Sequence, residues 1–396
     1  MNSNGHSFPG TLPVLSSLFV NGLAGGFVWP YLPILLSDRG LRPDRIGLVL
    51  GTASLLILLF RLPLGRLLDS SHFPDRWIRI ILLVPFPCTL LLTIHARDPV
   101  WLITAIFLLH LARMPFLPLG LACLKRLSEK RQVPFSPLIF VGSHHLFLGV
   151  LGLLAGWVVL LSGLHETLLL VVILMFAGSL PLLFQSNEPP PDRISSPKTP
   201  RILPDRAEGL VLSSFFLLHL VNAPLLPFTE LYMKRQTSHG AWIPWIAAIA
   251  ELTMVATAIT LFRNQARFES RWMIMMASGV LALRMLFYST TPSAAGILWI
   301  SLLDGLTSGI FWMVGIGWVA LRMEGRGEFN QLAGFVDIVV VTGGGAGTLL
   351  FGWAVSRWGF PGACGRLAPL NLLAPLCLVL AGKKAWCPRS PAIAPR

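Results

Sequence analysis

Charge is what this sequence has least of. Only 12% of its 396 residues are Asp, Glu, Lys or Arg, about half of the ~25% usual in soluble domains. A water-soluble fold of this length could not cover its surface with so few charges, so a soluble enzyme, a disordered chain and a fibrous repeat are all excluded. Cysteine is sparse too. Cys88, Cys123, Cys364, Cys377 and Cys387 are odd in number, scattered, and form no Cys-x-x-Cys pair. Neither a disulfide framework nor a metal site is expected from them. There is no phosphate-binding loop of the Gly-x-x-x-x-Gly-Lys-Ser/Thr type, which argues against ATP-driven work within this chain. What the sequence does have is apolar residues, at 54%, with 36 Gly, 31 Pro and 13 Trp. Gly and Pro are frequent in membrane-spanning helices, so a polytopic, all-α membrane protein is left.

A bilayer core of ~30 Å needs about 20 apolar residues per helix. Twelve runs qualify: 11–36, 45–68, 77–95, 99–122, 137–161 and 165–184, then 208–232, 241–262, 272–290, 293–321, 331–356 and 361–382. Between the two sets, residues 185–208 gather Pro189, Pro190, Pro191, Pro197, Pro200 and Pro204 among charged and polar neighbours. Such a stretch can neither span a membrane nor pack a core, and it reads as a solvated linker. The expected organisation is an N-terminal six-helix bundle over 1–184, a cytoplasmic linker over 185–208, and a C-terminal six-helix bundle with a short basic tail over 209–396. Met1–Gly10 has no basic n-region, so the first run is expected to stay as an uncleaved span. A weak internal echo joins the halves: Asn21 and Tyr31 stand ten apart in the first run, as Asn222 and Tyr232 do in the seventh.

Basic residues set the expected orientation. The net charge of +13 comes from 31 Lys and Arg against 18 acids. Twenty of the basic residues fall in the even-numbered loops and the tail, and eight in the odd-numbered loops. The positive-inside rule then places both termini in the cytoplasm, in a cytoplasmic (inner) membrane. No basic patch interleaved with stacking aromatics is present, so nucleic acid is not an expected partner. Lipid is, and the chain is expected to be a monomer.

Each charge inside a span needs an explanation, because it costs about 2.5–3.5 kcal/mol on insertion scales. Glu251 lies mid-run, far from either loop. Arg284 follows by 33 residues and Asp304 by a further 20, so consecutive antiparallel spans can bring all three to similar depth. They read either as a proton-coupling and solute-binding group or as a structural lock between helices. Thr307 and Ser308 share a helix face with Asp304, and that face is expected to line a cavity. Asp337 is a further embedded acid. His110 and Arg113 share a face in the fourth run. His144 and His145 are adjacent, so only one can point inward; His144 is carried as a possible cavity residue. No His/Cys/Asp/Glu spacing suggests a metal or haem, and no cofactor is expected. Gly343 and Gly347 form a Gly-x-x-x-Gly pair, which close helix packing explains.

Several segments resemble one family. After the second run, Gly65-Arg66-Leu67-Leu68-Asp69, then Arg76, resembles the Gly-x-Leu-x-Asp-Arg signature of the major facilitator superfamily. Pro30-Tyr31-Leu32-Pro33, Leu36, Gly40 and Ile46-Gly47 resemble the opening of its phenylpropionate permease and nucleoside–proton symporter group, to which lactose permease is more distantly related. Ala250-Glu251-Leu252, Ala282-Leu283-Arg284, Leu303-Asp304-Gly305-Leu306-Thr307 and Gln331 resemble later motifs of that group in order and spacing, with Asp304 where the group has His. The resemblance implies twelve transmembrane helices in two six-helix bundles and a secondary active transporter, a permease or symporter rather than an enzyme. It would move a small organic solute by alternating access, with proton coupling. The alternatives are an efflux or uniport carrier of the same fold and a receptor-like protein without transport. Glu251, Arg284, Asp304 and Thr307 become the expected proton-coupling or solute-cavity residues. Gly65, Asp69 and Arg76 become a cytoplasmic gate, and Asn21, Tyr31, His110, Arg113, His144 and Asp337 possible cavity residues. In the fifth run Ile139 stands where the group has Arg, which argues against the sugars that lactose permease carries.

Overall fold

The computed structural model of the chain describes residues 29–70, 98–113, 137–162, 170–174, 205–237, 242–264, 269–290, 292–323 and 329–386, with single residues at 19, 22, 26 and 177. Among the described residues the regular structure is helical, with no strand. The first half contributes α1 (Trp29–Asp38), α2 (Pro43–Ser70), α3 (Pro99–Arg113) and α4 (Pro137–Ser162). Three of these helices open on proline, whose fixed φ suits the first helical position and whose missing N–H would have had no partner there. Asp98 caps α3, its Oδ1 accepting from Val100 N at 2.8 Å.

The second half contributes α5 (Arg206–Asn222), α6 (Leu225–Gln236), α7 (Ile243–Arg263), α8 (Ser270–Ser289), α9 (Ala294–Met323), α10 (Phe329–Leu367) and α11 (Leu373–Ala381). Asp205 and Glu208 close a capping box at the start of α5: Glu208 N donates to Asp205 Oδ1 at 2.8 Å, and Asp205 N to Glu208 Oε2 at 3.0 Å. The last three residues of the expected linker are therefore already helix, because this box supplies partners for the orphan donors of the first turn. Five stretches are long and apolar enough to cross a membrane: Arg206–Gln236, Ile243–Arg263, Ser270–Ser289, Ala294–Gly315 and Phe335–Ala381. The last, at 47 residues, is far too long for one crossing. It breaks at Gly359, whose φ of +71° is open to glycine and strained for other residues. Pro361 follows, and both α10 and α11 then lie against α5. It thus supplies two spans, matching the six runs read in this half.

Large apolar side chains stay on the outer surface, among them Trp299, Val100 and Leu380, as a face turned to hydrocarbon requires. The buried core runs through both halves. The expected Gly343/Gly347 pair packs on α5, where a methyl on Gly347 would lie 1.9 Å from the Leu220 carbonyl oxygen.

The halves meet chiefly along three helix pairs, α2 with α10, α4 with α7, and α1 with α6, with lighter contacts of α4 to α9 and α1 to α7. At the first pair the backbones touch. A methyl on Gly47 would sit 2.7 Å from the Thr348 carbonyl oxygen, and one on Gly352 2.7 Å from that of Pro43. At the second, Gly156 lies against Pro244. At the third, Lys234 of α6 is ion-paired with Asp38 of α1. These contacts cluster where α1 and α6 end, α2 and α7 begin, and α10 approaches its turn, so the halves are closed together at that end.

Candidate functional site

The polar centre of the second half grows from a helix break. Pro224 has no N–H to donate, so the α5–α6 span is interrupted at Ala223–Pro224. Asn222, the last residue of α5, faces α9 and α8. Its Nδ2 donates to Ser308 Oγ at 3.1 Å, and its Oδ1 accepts from Arg284 Nη1 at 3.0 Å. Arg284, from the last third of α8, grips Asp304 of α9 with two parallel bonds: Nη1 to Oδ1 at 2.7 Å and Nη2 to Oδ2 at 2.9 Å. Ser308 Oγ donates to the same carboxylate at 3.3 Å. The guanidinium also lies 5.5 Å from the Tyr288 ring centre. Arg284 is only 1% exposed. A fork-on-carboxylate pair of this kind is the strongest arrangement for a desolvated ion pair.

Glu251 does not join that pair. It lies on α7 and reaches across to the first half, where His145 Nδ1 donates to its Oε2 at 2.5 Å. Of the two adjacent histidines, His145 is the one directed at the carboxylate, and its ring lies 6.4 Å from Trp312 of α9. His144 is half-buried with its ring 5.0 Å from that of His145. The three residues read from the sequence are thus bonded as two pairs, with Glu251 still within electrostatic reach of Asp304. Arg284–Asp304 ties two helices of one half, and His145–Glu251 ties the halves together. Equal depth is what suggests a single group, and depth does not fix the direction in which a side chain leaves its helix.

Among the other expected residues, Thr307 is fully buried and bonds its own helix, Oγ1 to the Leu303 carbonyl at 2.9 Å. His110 is buried and bonds its own helix through Nδ1 and the Ile106 carbonyl at 2.9 Å. Asp337 is buried on α10. Tyr31 is buried on α1. Gly65 and Asp69 fall in the last turns of α2 and Arg113 ends α3, with their surroundings outside the described residues. Asn21 and Arg76 lie outside them too. No grouping of three His, Cys, Asp or Glu able to hold a metal occurs among the described residues.

Three polar residues of the structure carry little mark in the sequence. Asn222 stands out there only as a repeat position. His219 of α5 is buried, bonds the Phe215 carbonyl at 3.2 Å and packs edge-on to Phe311. Glu230 is the most unusual. It is fully buried on α6, and neither carboxyl oxygen has a hydrogen-bond partner among the described residues. Its nearness to Lys234 and Arg235 gives it the look of a charged loop, whereas the helix continues to Gln236.

Comparison with known proteins agrees with this architecture. The sequence profile of the Major Facilitator Superfamily matches residues 14–209. No curated protein sequence matches the chain. Among solved structures, the nucleoside transporter NupG is 14% identical, with a TM-score of 0.70 over 94% of this chain and 98% of that one. A single-substitution variant of NupG gives 13% identity and a TM-score of 0.71, over 94% and 99%. The human organic anion transporter MFSD10 (TETRAN) is 14% identical, with a TM-score of 0.66 over 93% and 98%. At such identities the structural likeness is one of fold. Two helical halves closed on each other at one end, embedded ionisable pairs and the matching profile converge on the fold of a multi-pass membrane transport protein, with residues 14–209 matching the Major Facilitator Superfamily.

Proposed function

We propose that this protein is a secondary active transporter that carries a small organic solute across the cytoplasmic membrane, coupled to protons, with both termini in the cytoplasm. The observation that carries this reading is the His145–Glu251 bond. It joins two titratable side chains, one from each half, at the contact that alternating access has to break. While the halves are together, each group holds the other. When they part, both are freed to receive a proton or solute. Arg284–Asp304 lies within one half and survives the motion as a fixed polar wall, with Asn222 and Ser308 able to bond solute hydroxyl or amide groups.

With the termini inside, the closed end faces away from the cytoplasm and the described conformation is the inward-accessible one. The solute class is open to a panel, which nucleosides head because the structural relative NupG is a nucleoside transporter. Trp312, next to His145, offers a stacking face suited to a planar base.

The test is uptake by purified protein in proteoliposomes, with and without an imposed pH gradient, across labelled nucleosides, organic anions and sugars. One solute should accumulate only with the gradient. Glu251→Gln should abolish accumulation while leaving counterflow exchange of the same solute. Accumulation that ignores the gradient would refute proton coupling, and a Glu251→Gln protein that accumulates like wild type would leave Glu251 a structural role only.

A further inference from the structure

Glu230 is unused by the reading above, and its setting is specific. Its side chain is fully buried on α6, and both oxygens lack a hydrogen-bond donor among the described residues. α6 packs against α1 of the other half, and Tyr31 of α1 lies within electrostatic reach of the carboxyl. One helical turn further on, Lys234 of α6 pairs with Asp38 of α1. Glu230 is therefore enclosed in part by the opposite half.

The surrounding charges are already engaged. On its own helix the cations are Lys234, held by Asp38, and Arg235, exposed near the helix end. On α1 the titratable neighbours are Tyr31 and Asp38. On α9 it is Asp304, whose charge Glu230 senses and which is bound to Arg284 of α8. On α7 it is Glu251, bonded to His145 of α4. Tyr288 of α8 lies against Arg284, with Cys364 within that guanidinium's electrostatic reach. Asp304 opposes a negative charge on Glu230, while Lys234 and Arg284 are held by other acids and Arg235 is exposed. A fully buried, ionised carboxylate without a donor is far more costly than the neutral acid.

We propose that Glu230 is a proton-binding site that controls closure of the two halves at the α1–α6 end: the contact forms over the neutral carboxyl and opens when that carboxyl is ionised. The proton comes from water when the halves are apart, forming the O–H bond of the acid, and returns to water when they separate again. No other reactant takes part. The proposal rests on the two halves rocking, but not on which solute is carried or on the role of Glu251.

The experiment needs no solute. In a full-length protein with its five cysteines replaced, Ser37→Cys and Gln236→Cys, which leave the Asp38–Lys234 pair in place, are spin-labelled at one pH, and the protein is then moved to membranes between pH 5 and pH 9. Dipolar coupling between the labels reports the α1–α6 contact directly. The expected result is a closed population that falls at least about tenfold relative to the open one as pH rises. Glu230→Gln and, as a second permanently neutral variant, Glu230→Met should stay closed across the whole range. A parent protein whose label distance ignores pH would overturn the proposal, and so would a neutral variant that keeps the parent's pH response. If neutral variants lose the response while no solute is ever accumulated, the Glu230 site stands and the proton-coupled transport reading fails. If solute accumulation follows the gradient while Glu230→Gln keeps the parent's response, the transport reading stands and the Glu230 site fails.

Discussion

Removing the guanidinium of Arg284 is the most informative single change in the second half. In Arg284→Ala, Asp304 loses both of its short bonds, at 2.7 and 2.9 Å, and keeps only the 3.3 Å contact from Ser308. Asn222 loses its 3.0 Å donor at the same time. The Asp304 side chain is 10% exposed, so water cannot replace what is lost. Breaking a buried ion pair from one side costs about 3–5 kcal/mol. At ~2 °C per kcal/mol, the low end for larger domains, the unfolding midpoint should drop by about 6–10 °C. Cys364 is fully buried, so in a protein whose other four cysteines are replaced the rate at which a thiol-reactive dye reaches it on heating provides the assay in detergent. Arg284→Lys keeps the charge but cannot grip both oxygens, and should fall between the two. The paired change Arg284→Met with Asp304→Leu removes both charges and should recover most of the loss, while leaving transport inactive. An Arg284→Ala protein that melts within about 1 °C of wild type would show that the pair is not desolvated as described, and would refute the reasoning.

Two further outcomes follow from the architecture. Gly47→Leu drives a side chain into the α10 backbone at Thr348 and Gly352, so the protein should be trapped with the halves apart at that end, read as a lengthened distance between labels at 37 and 236. A cytoplasm-only reporter fused after Gln185 or after the C-terminus should be active at both junctions; a silent reporter on a membrane-inserted fusion would overturn the orientation argued from loop charge.

Much of the helical order was legible from apolar run length alone, because a bilayer imposes one length on every span. The run read at 272–290 is the helix Ser270–Ser289, and that at 241–262 is Ile243–Arg263. Arg284 and Asp304 were legible as well, since an embedded charge announces itself by its surroundings. Their pairing was less so. In a soluble helix the apolar stripe tells which way each residue faces, but these helices are apolar all round. Nothing along α7 says that Glu251 turns to α4 rather than to α8. For the same reason sequence alone does not rank two histidines about 100° apart on a helix, and it is the Glu251 carboxylate that singles out His145. Glu230 was missed for a different cause. It lies near the basic end of its run, and only the packing of α1 over α6 makes that end an interior.

The glycine faces of α2 and α10 have a mechanical meaning. Gly47 meets Gly352, and Gly51 meets Gly345, with backbone on backbone, while Leu349 seats on Gly51 and Leu55 on Gly345, so few long side chains on these faces have to move when the helices shift. A fully interlocked seam would make separation a long sequence of rotamer changes, each with its own barrier. Ridges this sparsely knobbed can roll over one another through small displacements, exchanging weak dispersion contacts of similar strength at each step. The seam then acts as a low-friction bearing, and the energy that decides between closed and open is left to the few charged groups set around it.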